Sequence, residues 1–175
     1  MGETDVVSDW SLEIAKEAAP DEVDLAPTMA YAFIAGGKER EELLRQSEGV
    51  PGAFGGEIVI FVFPAILEAI EEVGPLLLGF LSRMVEHAEE VSYFATALNT
   101  LVDLRNLFKR KHKADSLPDD RYAPLKTVST ELTEELRKAG VPQDQADIIC
   151  YRVLRVMIEN PSGAAEYTRQ VTQAA

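Results

Sequence analysis

Cysteine is almost absent from this chain of 175 residues, because Cys150 is its only one. A single cysteine excludes an intramolecular disulfide and a cysteine-based metal cluster, and it agrees with a reducing compartment. Ile148 and Ile149 precede it, so the sequence predicts a small buried hydrophobe with an unreactive thiol. The first ten residues lack the basic and apolar regions of a secretory signal, which predicts a cytoplasmic protein.

Histidine and catalytic motifs are equally scarce. His87 has Glu90 three residues later, but di-iron bundles repeat the Glu-x-x-His pattern on separate helices, and the second histidine, His112, lies among cations that repel a metal. No serine or cysteine sits in a recognisable nucleophile motif, and no glycine-rich stretch continues into the Lys and Ser or Thr of a phosphate-binding loop. The sequence therefore predicts no metal, no cofactor and a non-enzymatic protein.

Basic residues are outnumbered in this chain. The 17 Lys and Arg residues oppose 30 Asp and Glu residues, which gives a formal net charge of -13 and a pI near 4.6. An acidic excess of this size repels the phosphates of nucleic acids and anionic lipid surfaces. The exception is the stretch 105–113, RNLFKRKHK, which carries five basic residues and no acidic one. This stretch is called the basic segment below.

The basic segment has three interpretations. Its cations can close a long helix, where they complement the carbonyl end of the helix dipole. They can instead form a docking patch for an acidic protein partner or an anionic membrane. The third interpretation, a nucleic-acid site, is disfavoured, because Phe108 is the only aromatic residue interleaved with the cations. The candidate partner-binding residues are Lys109, Arg110, Lys111 and Lys113.

No apolar run in the chain is long enough to span a membrane unaided. The run Ile58–Leu67 is followed by Glu68, Glu71 and Glu72, which fall inside the apolar window 58–81. A spanning helix needs about 20 apolar residues, and each central carboxylate costs about 2.5 to 3.5 kcal/mol on insertion scales. The window is therefore predicted to be a buried core segment, with a partner-binding surface or an assembly-dependent membrane segment as alternatives.

A glycine-rich joint at 49–57 precedes this window. Glycine populates backbone conformations closed to other residues, so such a density predicts a tight or mobile connection. The candidate hinge residues are Gly52, Gly55 and Gly56. Together with the window 58–81, the joint suggests an alternative function, that of a membrane-perturbing effector whose apolar segment is released on activation or assembly.

Helical periodicity predicts an all-α helical bundle built around one long central helix. A short extended segment near 58–63 is an alternative for the start of the apolar run, although no second such run exists to pair with it. The Gly74 and Pro75 pair predicts a helix break, and an apolar stripe then predicts one helix from Pro75 to about Lys111. The stripe consists of Leu77, Leu81, Met84, Ala88, Val91, Ala95, Leu98 and Val102.

Capping residues and prolines predict the other helices. Ser8 or Asp9 begins a helix that Pro20 ends, and Pro27 begins another that leaves through two glycines, Gly36 and Gly37. A further helix follows those glycines. In the C-terminal part, three helices are expected to begin near Pro124, Pro142 and Pro161.

These signals divide the chain into five segments. They are a small N-terminal helical subdomain at 1–48, the glycine-rich joint at 49–57, the apolar segment with the central helix at 58–113, a linker at 114–124 and a C-terminal three-helix module at 125–175. Because no catalytic signature accompanies them, the sequence predicts a regulatory or adaptor module that acts through protein contacts. A protein partner is expected, and homo-oligomerisation is an alternative, since the apolar stripe resembles a coiled-coil seam.

Overall fold

The computed structural model describes residues 5–47, 61–89, 91–110 and 123–173, and these residues form helices without a strand. The prediction of an all-α bundle is therefore confirmed. In chain order the helices are α1 Val6–Ala18, α2 Ala26–Ala35, α3 Gly37–Ser47, α4 Val62–Glu86, α5 Val91–Arg110, α6 Ala123–Lys138, α7 Gln143–Glu159 and α8 Pro161–Thr172, with a short 3-10 helix at Pro20–Glu22 between α1 and α2.

Helix α4 is the central element of the bundle. Its 25 residues make it about 37 Å long at the usual rise per residue. It packs most extensively on α8 and α6, and also on α2, α3 and α7. Phe63, Leu67, Ile70, Leu77 and Leu81 on this helix are fully buried. One long central helix is thus present as predicted, and it includes residues 62–81 of the apolar window.

The predicted helix break at Gly74 and Pro75 is wrong, because α4 runs through both residues. A proline inside a helix costs about 3 kcal/mol, since it lacks an N–H and crowds the preceding turn. Pro75 lies on the solvent-exposed side, where the freed carbonyl can bind water, while Val73 and Leu77 on either side are buried in the core. Burial of apolar residues both before and after Pro75 outweighs that local cost.

The predicted single helix from Pro75 to Lys111 is also wrong, because α4 ends at Glu86 and α5 begins at Val91. The interruption changes the phase of the buried face. Ala88 within the interruption and Ala95 and Val102 beyond it, all residues of the stripe, are exposed, whereas the buried residues among the described side chains of α5 are different ones. They are Ala97, Thr100, Leu101 and Leu104. The regular spacing of the apolar stripe therefore continues across the turn between α4 and α5, although its residues do not share one face of a single helix.

The helix ends predicted from caps and prolines are largely confirmed. Helix α1 ends at Ala18, before Pro20, although its N-cap is Asp5, whose carboxylate accepts a hydrogen bond from the Ser8 amide at 3.2 Å. Helix α2 leaves through Gly36 at a φ of 70°, which favours glycine. Helices α6, α7 and α8 begin within one residue of their predicted prolines. The division of the chain into modules stays a prediction.

The start of α4 is capped from a distant part of the chain. Glu22, at the end of the 3-10 helix, is buried, and its carboxylate accepts hydrogen bonds from the amides of Val62 at 2.6 Å and Phe63 at 2.8 Å. Phe61, which precedes them, has an extended backbone, as the alternative of an extended segment near 58–63 predicts for this position. Residues 58–60 lie outside the described residues, and 62 and 63 are helical. The carboxylate satisfies amides that have no partner within the helix.

Replacement of Glu22 by Ala is expected to lower the free energy of unfolding by about 1 to 3 kcal/mol, because two backbone donors lose their acceptor. Burial, acting against the hydrogen bonds from Phe63 and Val62, raises the pKa of Glu22 above its ordinary value of 4.5. A raised pKa in the folded state means that protonation favours folding. The stability difference between wild type and variant should therefore be largest below about pH 4.5 and shrink as the pH rises through the raised pKa.

Urea unfolding of both proteins across this pH range measures that difference. A stability difference that increases with pH would contradict the raised pKa, because it would mean that the two amide hydrogen bonds outweigh burial and lower the pKa of Glu22.

Among the described residues, no helix combines the length and apolar composition needed to cross a bilayer. Apart from Leu76, which is exposed, the large apolar side chains in the described part of the apolar window, 61–81, lie in the bundle core or pack against it.

Candidate functional site

The structure covers the predicted site residues unequally. Lys109 and Arg110 form the end of α5, where the backbone alone is described, and Lys111 and Lys113 lie outside the described residues. The candidate hinge residues Gly52, Gly55 and Gly56 also lie outside them. Of the basic residues in the basic segment, Arg105 is the one whose side chain is described. Its surroundings therefore define the candidate site.

Arg105 lines a cavity of about 470 Å³ between α1, α5 and α7, which is called the basic pocket below. Four cationic side chains from these three helices line it, against one carboxylate, that of Glu17. The cations are Lys16, Arg105, Arg152 and Arg155. A concave surface with cations on several sides attracts anions more strongly than a flat one, because its low-dielectric walls focus the electric field.

Helix packing explains how these cations meet. Arg152 and Arg155 are three residues apart on α7, so they project from the same face of that helix. Helix α1 packs on α7, which carries Lys16 to the pocket, and α5 packs on α7 from another direction and adds Arg105. The buried residues of α7 hold the opposite face in the core and so fix the direction in which its arginines point.

The Arg105 guanidinium stacks on an aromatic ring of the pocket wall. Its Cζ lies 4.8 Å from the centroid of the Tyr151 ring, within the range of a cation–π interaction. Its Nε is buried and has no hydrogen-bond acceptor among the described residues. A buried donor without a partner is rare in folded proteins and is often satisfied by a bound ion or water. Arg105 is therefore held in place and retains unused donor capacity.

The other cations of the basic pocket are only partly neutralised. Arg155 Nε donates to Glu159 Oε1 at 3.1 Å, and this hydrogen bond raises the pKa of the guanidinium, but both side chains are about half exposed. Lys16 and Arg152 are exposed and form no ion pair with a described residue. The pocket thus keeps a net positive charge within a strongly acidic protein.

A second, more apolar cavity of about 290 Å³ adjoins the basic pocket and is called the apolar pocket below. The two cavities share Pro20, Ile148 and Arg152 in their linings. Apolar side chains of α1, α4 and α7 form much of its surface, and Asp21 and Glu22 also line it. The combined depression therefore offers a cationic end and an apolar end.

Another cavity, of about 680 Å³, lies between α3, α4 and α6, and the ion pair of Arg40 and Glu71 lines it. Arg40 Nη1 donates to Glu71 Oε1 at 2.7 Å, and Nη2 donates to the other carboxylate oxygen. The same guanidinium lies 4.0 Å from the centroid of the Phe33 ring. Glu71, predicted to keep the apolar window out of lipid, thus also joins α3 to α4.

Cys150 and the two histidines are the remaining residues that the sequence singled out for possible reactivity or metal binding. Cys150 is buried, its thiol donates to the Ser129 carbonyl at 3.4 Å, and burial raises its pKa to about 11, so the predicted inert thiol is confirmed. His87 is exposed just past the end of α4, and His112 lies outside the described residues. Within the described ranges, no group of three or more His, Cys, Asp or Glu side chains is placed to hold a metal ion.

Sequence reasoning missed the basic pocket, because its residues come from three separated parts of the chain. The candidates named from the basic segment were Lys109, Arg110, Lys111 and Lys113, and Arg105 entered only as the first residue of that segment. The sequence feature that could have indicated the pocket is the pair Arg152 and Arg155, which lie three residues apart on the polar face of α7. Nothing in the sequence around Lys16 indicates that it lines a pocket.

A scan against protein-family models found no match, and searches of curated proteins and of solved structures also found none.

Proposed function

We propose that the protein is a non-enzymatic interaction module, regulatory or adaptor in role, that binds an acidic protein partner through the basic pocket and the adjoining basic segment. The observation that carries the proposal is the convergence of four cations from three helices in a chain of net charge -13. Arg105 belongs to both features, because it lines the pocket and begins the basic segment.

The energetics of like charges support a bound anion. Cations brought together in one cavity repel one another, and this repulsion weakens the fold unless a counter-charge relieves it. Carboxylates are abundant in the chain, yet among the described residues Glu17 is the one acidic residue that lines the pocket. An acidic partner would supply the missing negative charge and gain affinity and orientation from it.

The net charge and the pocket shape favour a protein over the other anionic partners. A nucleic acid or an anionic membrane presents an extended negative surface, which the acidic remainder of this chain would repel over the Debye length of about 8 Å at physiological salt. A protein segment can present a few carboxylates to the pocket and little charge elsewhere. The apolar pocket next to the cations also suits a peptide, whose side chains combine both characters.

Charge reversal tests the proposal. Arg105→Glu combined with Arg152→Glu should weaken binding of a fluorescein-labelled poly-glutamate peptide about 10- to 100-fold, because two favourable contacts become repulsive. Reversal of Lys109, Arg110 and Lys111 to Glu should weaken it further. Fluorescence anisotropy at two salt concentrations measures the effect, and higher salt should weaken wild-type binding. Arg152→Glu alone should leave thermal unfolding nearly unchanged, because that side chain is exposed, whereas Arg105→Glu also removes the contact with the Tyr151 ring and should lower the melting temperature. Circular dichroism confirms that the double variant is folded at the temperature of the binding measurement.

The matched control reverses two exposed cations of α3 that do not line the basic pocket, Lys38 and Arg45, to Glu. This variant changes the net charge as much as the first double variant does. An equal loss of binding in the control would reduce the effect to net charge and contradict the proposed site. A second copy of this acidic chain is itself one acidic partner, and light scattering of the purified protein would detect such self-association.

A further inference from the structure

The basic pocket holds more donors than a carboxylate can use. A carboxylate has two oxygens and is satisfied by one guanidinium fork, whereas a phosphate monoester carries about -1.5 to -2 charges and three terminal oxygens. The pocket presents three guanidinium groups and one ammonium group from α1, α5 and α7. This number and spread of donors matches the larger and more highly charged group.

Arg105 is prepared for such a group. Stacking on the Tyr151 ring orients the planar guanidinium, and its Nε has no acceptor among the described residues. Arginine recognises phosphate through parallel hydrogen bonds from its fork, which a lysine cannot reproduce. A bound phosphate would also neutralise the mutual repulsion of the cations more fully than a carboxylate would.

The apolar pocket identifies what carries the phosphate. It shares Pro20, Ile148 and Arg152 with the basic pocket, so a ligand filling both must place an apolar group close to its phosphate. Side chains of an extended peptide alternate in direction and rise about 3.3 Å per residue, which puts suitable neighbours one or two residues apart. A nucleic-acid backbone has no apolar side chain to offer.

We infer that the acidic group bound in the basic pocket is a phosphorylated side chain of a partner peptide, and that an apolar residue close to it in the peptide fills the apolar pocket. This inference rests on the proposed function and specifies its partner as a phosphopeptide. Recognition of phosphorylated motifs by arginine clusters is an established mode of peptide binding. In this mode the phosphate contributes most of the selectivity, and the apolar residue selects among phosphorylated sequences.

The test uses three degenerate peptide libraries that differ only at a fixed central position, which is phosphoserine, glutamate or serine. The protein immobilised on beads should retain the phosphoserine library about tenfold more than the glutamate library, because each bidentate phosphate contact adds to affinity. Sequencing of the retained peptides should show enrichment of Leu, Ile, Val or Met at one position near the phosphoserine.

Three variants test which pocket binds the phosphate and which binds the apolar residue. Arg105→Lys keeps the charge and removes the fork, so it should lower the preference for phosphoserine over glutamate to near parity, and Arg152→Lys should lower it in part. Val62→Ser changes a residue that lines the apolar pocket and not the basic pocket, so it should lower the apolar enrichment and keep the phosphoserine preference. The double reversal of Lys38 and Arg45 should change neither. Circular dichroism confirms that each variant is folded before it is used.

The outcomes separate this inference from the proposed function. Equal retention of the phosphoserine and glutamate libraries would overturn the inference and leave acidic-partner binding standing. Retention of both acidic libraries no better than the serine library would overturn the proposed function as well. Titration with inorganic phosphate, followed through the NMR signal of the Arg105 side chain, tests whether the pocket recognises the peptide that carries the phosphate or the phosphate alone. An affinity for free phosphate equal to that for the selected phosphopeptide would overturn the assignment to a peptide.

Discussion

Leu81→Asp is expected to leave the protein unfolded at room temperature. Leu81 lies on the central helix α4 with 0% of its surface exposed, and neighbouring helices enclose it. The substitution removes a buried apolar side chain and puts an unpaired carboxylate in its place, at a cost of several kcal/mol. The total stability of a domain is about 5 to 15 kcal/mol, so the loss consumes most or all of it.

Leu76→Asp is the matched control, because it makes the same substitution on the same helix. Leu76 is 48% exposed, so its replacement should leave helical circular dichroism unchanged and shift the melting temperature by only a few degrees. Similar melting curves for the two variants would contradict the assignment of α4 as the core helix. Leu98 on α5, also predicted from the stripe to be a core residue, is partly exposed, so its replacement by Asp should cost less than that of Leu81.

Tyr167→Ala is expected to have the next largest effect, a loss of about 3 to 5 kcal/mol in the free energy of unfolding. Tyr167 on α8 is fully buried, and its ring stacks on that of Trp10 on α1 with centroids 6.2 Å apart and planes at 24°. Its hydroxyl lies 3.2 Å from Ser11 Oγ. Truncation would therefore leave a cavity at the contact between α1 and α8 and remove an aromatic pair.

Tyr167→Phe separates the ring from the hydroxyl. Ser11 keeps its hydrogen bond to the Val7 carbonyl at 2.6 Å, so loss of the tyrosine hydroxyl should cost only about 0.5 to 1.5 kcal/mol. Urea unfolding with a common m-value measures both variants. A cost for the Phe variant as large as that for the Ala variant would show that the hydroxyl, and not ring packing, holds α8 on α1.

The basic pocket also shows how local charge can oppose global charge. The chain as a whole repels polyanions, yet one cavity collects four cations on a small surface. Such an arrangement favours partners that carry concentrated negative charge at one place and little elsewhere, because the wider acidic surface repels the rest. A single phosphorylated residue within an otherwise neutral or apolar segment meets that requirement.

Helix starts and ends were predictable because they depend on residues adjacent in the chain. Pro20 and the glycines at 36 and 37 act through backbone conformation, which changes little with the tertiary environment. The inner face of α6 was predictable for a similar reason, since its four apolar residues share one side of a short helix and all of them are buried. They are Leu125, Val128, Leu132 and Leu136.

The course of the chain from α4 to α5 was not predictable in the same way. Pro75 is a helix breaker by local preference, and the energy that keeps it inside α4 comes from core contacts with α6 and α8. The apolar stripe keeps its three- and four-residue spacing in the sequence beyond Glu86, but the chain turns there and α5 buries a different face. The first error arose because packing energy exceeded a local cost of about 3 kcal/mol, and the second because a regular apolar spacing continued across a turn between two helices.

Local chain chemistry thus settles the all-α class, most helix boundaries, the inert cysteine and the acidic character, because each depends on residue type or on neighbours within a few positions. Tertiary packing decides the rest. It joins Glu22 to the start of α4, Arg40 to Glu71, and Lys16 to arginines more than 80 positions away along the chain. The basic pocket belongs to this second group, since the convergence of like charges depends on how α1, α5 and α7 meet in space.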